Sequence, residues 1–142
     1  MGEQLIVNVA SLNQKVQFRG VARDNTPITI DYAPPLGDGQ GYTSLELLLV
    51  SLATCSASTI VTLLRQFGRT VTALEVCASG VRRTQHPTAF ESIALDFAFY
   101  SADVTAEDVD KAIGVSRDAV CPVWAMVKSN VEITTRYTIV AQ

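Results

Sequence analysis

Histidine is almost absent: His86 is the one imidazole in a chain of 142 residues. A single ring cannot furnish a multi-His metal site, and no Cys-x-x-Cys pair compensates for it. Cysteine is scarce and odd in number, and Cys55, Cys77 and Cys121 are too widely spaced for a disulfide scaffold. Positive charge is in deficit as well. Eleven Lys and Arg against 14 Asp and Glu leave a net charge of −3, which removes the electrostatic case for nucleic acid or an anionic membrane as partner. No basic n-region leads into an apolar N-terminal stretch, so the expected compartment is the cytoplasm. What the chain does have is apolar material, 48% hydrophobic against 18% charged, enough to build a core. The length predicts a single domain over 1–142 with no cofactor, whose strong nucleophiles are thiols.

The pattern along the chain predicts an α+β fold. Leu5 to Val9, Lys15 to Val21 and Pro27 to Tyr32 are β-rich or alternating segments separated by turns at Asn13-Gln14 and Arg23 to Thr26. They read as a three-stranded antiparallel meander. A Pro- and Gly-dense loop over 33–41 follows, suited to carry the chain between layers or toward a partner subunit. Thr43 or Ser44 reads as an N-cap, with Glu46 in the first turn, and a helix runs from Leu45 to about Phe67, ending at Gly68. That helix is apolar nearly all round, the pattern of a membrane span or of a fold's buried centre. Its Ser and Thr residues and the flanking strands favour the buried centre. Strands over 73–81 and 92–100, joined by a polar hairpin, precede a helix with a capping box at Thr105 to Asp108 and a closing strand over 131–140. The second half is thus helix–β–β–α–β.

Among the groups that could carry chemistry, Cys121 stands out because Pro122 follows it. Proline ends or kinks the helix begun at Thr105 and suits the first position of a new one, which puts Cys121 at an N-cap. A thiol there has its pKa lowered by the helix dipole; otherwise Cys121 is a small buried hydrophobe beside a helix break. Cys55 lies in the middle of the apolar helix and needs a nearby cation to be reactive, failing which it is an ordinary core cysteine. Cys77 is in phase with Glu75 and Ser79, on the more polar face of its strand or at an interface between layers. Glu46 is either a dipole-complementing residue or a functional one, and at about 100° per residue it points away from Cys55, nine positions on. Arg19, Arg23, Arg82, Arg83 and His86 read as surface or loop residues, and Trp124 and Met126 as packing.

Taken together, these residues carry a resemblance. The run from Thr43 to Ser56, TSLELLLVSLATCS, resembles the central-helix motif of the OsmC/Ohr family, in which a Glu and a Leu/Ala run lead to a Cys. Val120-Cys121-Pro122-Val123 resembles that family's second motif, and Phe90 to Phe97, FESIALDF, the strand between them. The order of elements agrees along almost the whole chain, with the N-terminal strands fitting in outline. The resemblance implies an intertwined homodimer whose sheets wrap two long buried central helices. It also implies a thiol-dependent peroxidase acting on organic hydroperoxides and recycled by an external dithiol. By motif position Cys55 would be the peroxidatic cysteine and Cys121 the resolving one. Glu46, with an arginine from the N-terminal region, Arg19 or Arg23, would orient the thiolate, and Cys77 is given no role. Ser44 replaces a proline common in the family. The Glu46–Cys55 spacing is one shorter than in the well-studied peroxidase branches and resembles a less characterised OsmC-like branch. The rival readings are a dimer with inert cysteines binding a small apolar ligand, and a thiol redox sensor.

Overall fold

A computed structural model describes residues 2–142. The chain forms two compact units, one reaching Leu48 and the other Leu49–Gln142. In the first, β1 (Asn8–Ser11), β2 (Phe18–Val21) and β3 (Ile28–Ile30) form an antiparallel meander in the order β1-β2-β3. The meander is the predicted one, though its strands are shorter and the first begins at Asn8. Asn13 explains the first turn: its side-chain oxygen accepts the N–H groups of Lys15 and Gln17 at 2.9 and 3.2 Å. Arg23 takes φ +55° in the second. Val7, Val9, Phe18, Ile28, Ile30 and Leu47 are among the residues lining a hollow of about 660 Å³ on this unit.

The loop over 33–41 closes around Asp31, a fully buried carboxylate. Asp31 accepts the N–H groups of Tyr32, Asp38 and Gln40 at 2.8, 3.2 and 3.1 Å, and the side-chain amide of Gln17 at 3.4 Å. Burial works against its ionisation, but the amides of Gln40, Tyr32 and Asp38 and the Gln17 side chain outweigh it and hold the carboxyl below the usual range. Gly37 lies so close that a Cβ there would collide with Asp31 Oδ1 and the Tyr32 carbonyl.

α1 (Ser44–Gln66) starts from Thr43, whose hydroxyl accepts the Glu46 N–H at 3.2 Å while Glu46 Oε1 accepts the Thr43 N–H at 2.8 Å. This reciprocal cap satisfies two of the donors a helix start leaves over. At the far end Gly68 (φ +84°) takes the left-handed conformation, and the Arg69 N–H returns to the Leu64 carbonyl at 3.0 Å. By length and composition α1 could cross a membrane, with a mean hydropathy of 2.1. One stripe of it, Leu52, Ser56, Ile60 and Leu64, is fully buried in the core. Leu48 and Val50 remain 37% and 47% exposed, so complete burial of the helix is not achieved within one chain.

The second unit holds β4 (Ala73–Arg82), β5 (Phe90–Tyr100) and β6 (Glu132–Val140) in the order β4-β5-β6. β4 and β5 pair antiparallel, β5 and β6 parallel. The predicted alternation holds. Leu74, Val76 and Ala78 face the core with Ile93, Leu95, Phe97 and Phe99, against the buried stripe of α1 and against Val109, Ala112 and Ile113. Those last three belong to α2 (Ala106–Val115), which opens on the predicted capping box: Thr105 Oγ1 accepts the Asp108 N–H and Asp108 returns the favour, at 3.2 and 2.9 Å. The helix does not run on to Val120 as an α-helix. Ser116–Val120 form one π-helical turn, after which α3 (Pro122–Val127) begins. An α-helical continuation would drive the Pro122 ring into the carbonyl four residues back, and the wider turn avoids this.

Candidate functional site

α1 and the π turn deliver two thiols to one point inside the second unit. Cys55 is half-buried on α1 and Cys121 is buried at the start of α3; their sulfurs lie 2.9 Å apart. The distance exceeds the ~2.05 Å of a disulfide, and both are free thiols. In this contact the S–H of Cys121 donates to the sulfur of Cys55. Sixty-six positions of sequence are thereby closed onto a single S–H···S contact.

Cys121 is the N-cap of α3, as the following proline predicted. Its sulfur accepts the Trp124 N–H at 3.4 Å, with Pro122 at the first helical position. Of the two readings of Cys121, the small buried hydrophobe holds and the lowered pKa does not. Burial pushes the Cys121 thiol up, and its hydrogen bond to Cys55 raises it further, because both favour the protonated form. The Trp124 N–H and the Ser56 hydroxyl pull in the other direction and are outweighed. Removal of the sulfur from water outweighs what the start of the helix offers it. Cys121 is therefore a proton-bearing thiol.

Glu46 is engaged in the α1 cap, and the Thr43 backbone N–H, helped by its hydroxyl, holds the Glu46 carboxyl below the usual range. Arg19 sits in β2, half-buried, in register with Ala10 and Thr29; Arg23 is exposed in the turn that follows. Glu46 and both arginines thus belong to the first unit, the two cysteines to the second. Cys77 is exposed on the polar side of β4, in register with Asp96, which accepts a hydrogen bond from Arg136 at 3.3 Å. Arg82 braces its own hairpin by donating to the Thr88 carbonyl at 2.8 Å. Trp124 is core packing, as expected, whereas Met126 is 68% exposed. Among the described residues, no three His, Cys, Asp or Glu side chains converge where a metal ion could be held.

Sequence reasoning missed the hydroxyls behind the thiols. Ser56 is fully buried, donates to the Leu52 carbonyl at 2.7 Å and also meets Cys121. One turn beyond Cys55, the Thr59 hydroxyl contacts that of the fully buried Ser116. The available signal was spacing: Thr59 is four positions after Cys55 on one helix face, and Ser116 five before Cys121.

The OsmC-like protein family profile matches residues 37–136. The chain is 31% identical to Protein YhfA of Escherichia coli (strain K12) over 97 residues, covering 68% of this chain and 72% of that one. Its fold matches an OsmC like protein from Mycoplasma pneumoniae with a TM-score of 0.84 at 21% identity, covering 99% of each chain. An organic hydroperoxide resistance protein OsmC from Legionella pneumophila matches with a TM-score of 0.71 at 11% identity, covering 96% of this chain and 97% of that one. The profile match, which spans both cysteines, and the 31% identity to Protein YhfA show that the chain belongs to the OsmC-like family.

Proposed function

We propose that this protein is a thiol-dependent peroxidase that reduces organic hydroperoxides with Cys55 and Cys121. The observation that carries the reading is the S–H···S contact at 2.9 Å. A resolving thiol must lie beside the sulfur that is oxidised first, and Cys121 does so while burial shields it from direct attack by the peroxide. The Cys121 S–H stabilises negative charge on the Cys55 sulfur, which attacks the terminal oxygen of the hydroperoxide. The O–O bond breaks, the alcohol leaves with a proton, and Cys55 becomes a sulfenic acid. Cys121 then displaces that oxygen: an S–S bond forms, an S–O bond breaks and water departs. An external dithiol reduces the disulfide and restores both thiols. The resistance protein from Legionella, whose name refers to organic hydroperoxides, supports the substrate class. Glu46 and an N-terminal arginine, Arg19 or Arg23, are assigned to orienting the thiolate.

The functional particle in this reading is a homodimer of one OsmC-like domain over 1–142, working in the cytoplasm, where free thiols are kept reduced. A second copy would cover the apolar residues that one chain leaves open: Val7, Val9, Phe18 and Ile28 on the first unit, and Leu48 and Val50 on α1. The test is to treat the reduced protein with cumene hydroperoxide and measure intact mass. The expected result is the loss of two hydrogens, blocked in Cys55→Ser, with Cys121→Ser stopping at a Cys55 sulfenic acid. Both thiols titrating unchanged after treatment would sink the reading.

The hollow of about 660 Å³ favours a second reading, a binding module for a small apolar ligand. It predicts inert thiols and a ligand that survives purification, visible by native mass spectrometry.

A further inference from the structure

The hydroxyls of half-buried Thr59 and buried Ser116 form a second link between the same two segments. Thr59 Oγ1 lies 3.0 Å from the Ser56 carbonyl and donates to it. The same Thr59 hydroxyl is in hydrogen-bond contact with that of Ser116. The Ser116 carbonyl in turn accepts the Cys121 N–H at 2.9 Å, the bond that defines the π turn. The path from the α1 backbone at Ser56 through Thr59 and Ser116 thus ends on the amide of Cys121, and the S–H···S contact closes the circuit back to Cys55, the neighbour of Ser56. π-helical turns are rare and need a local cause. Pro122 rules out a plain α-helical continuation, and the part-buried contact between Thr59 and Ser116 ties the turn to the helix it faces.

We propose that Thr59 and Ser116 are positioning residues for the resolving step: their hydroxyl contact holds the π turn in the register that keeps Cys121 within reach of Cys55. This deepens the peroxidase reading and rests on Cys55 and Cys121 being the redox pair. The step they serve is attack of the Cys121 thiol on the Cys55 sulfenic acid formed by an organic hydroperoxide. The S–S bond forms, the S–O bond breaks, and the thiol proton leaves with the sulfenic hydroxyl as water. Neither hydroxyl touches the reacting atoms.

The experiment compares the wild-type protein with Thr59→Val, Ser116→Ala and Thr59→Ser in two assays. In glutathione redox buffers, the effective concentration of Cys121 toward Cys55 is read from the disulfide equilibrium, with no peroxide present. Thr59→Val and Ser116→Ala should lower it by about fivefold to tenfold, the worth of one buried hydrogen bond, and Thr59→Ser should restore it. With cumene hydroperoxide and dimedone, the same two variants should trap more Cys55 sulfenic acid while consuming peroxide at the wild-type initial rate. A wild-type effective concentration in both variants overturns the proposal. So does a lowered unfolding midpoint with the thiol equilibrium unchanged, since that is the mark of a purely structural contact. If the glutathione equilibrium moves as expected but cumene hydroperoxide never yields a sulfenic acid, the positioning role stands and the peroxidase reading falls.

Discussion

Cys121 keeps its proton and directs it at the sulfur of Cys55 across 2.9 Å, and the two thiols differ in their surroundings although both are cysteines of one unit. The donor is the more buried of the pair and has its pKa raised. The acceptor is only half-buried on α1. In the proposed reaction the attacking sulfur must be reachable, and the difference in burial fits Cys55 for that part.

This asymmetry has a pH signature. At neutral pH, brief treatment with iodoacetamide should modify the exposed Cys77 well ahead of Cys121, as read by peptide mass mapping. Because its pKa is raised on folding, Cys121 binds its proton more tightly in the folded than in the unfolded chain. The stability this contributes is complete below the free-thiol value of ~8.5 and is lost as pH rises through the folded value. Urea unfolding of the reduced protein above pH 8 should show a decline that is weaker in Cys121→Ser. Identical alkaline slopes for the two proteins would contradict the assignment.

The start of α1 depends on a reciprocal pair of hydrogen bonds between Thr43 and Glu46. Thr43→Ala should cost about 1 kcal/mol in urea unfolding, and Thr43→Ser should recover most of it. A loss below a few tenths would mean that the cap is redundant.

Apolar side chains left open by one chain should find a partner in solution. Val9→Asp and Leu48→Glu, each replacing an exposed apolar residue by a carboxylate, should shift the sedimentation coefficient from dimer toward monomer. A wild-type protein that sediments as a monomer would refute the homodimer directly.

Local chemistry was the legible part of this molecule. The meander, the caps at Thr43 and Thr105, the Gly68 stop and the alternation of β4 each rest on neighbours a few residues away, and each is found in the structure. The placement of Cys121 as an N-cap followed from Pro122 in the same way. Its pKa did not, because the dominant influence is burial by residues distant in sequence. The π turn was equally out of reach, since the hydroxyl it leans on belongs to Thr59, 57 positions earlier. Asp31 looked like one polar residue at a strand end. Only the folded loop shows four donors meeting at its carboxylate.

The gathering of donors at Asp31 turns the loop over 33–41 into a ring clasped by a carboxylate rather than by a covalent bond. A ring has a fixed circumference. The amides of Asp38 and Gln40 reach the clasp only at their present distance along the chain, and Gly37 leaves no room for a side chain. Insertions that the hairpin after β4 could absorb as extra surface would here unfasten the ring. Of these two loops, only the polar hairpin can change in length without unmaking a buried set of hydrogen bonds.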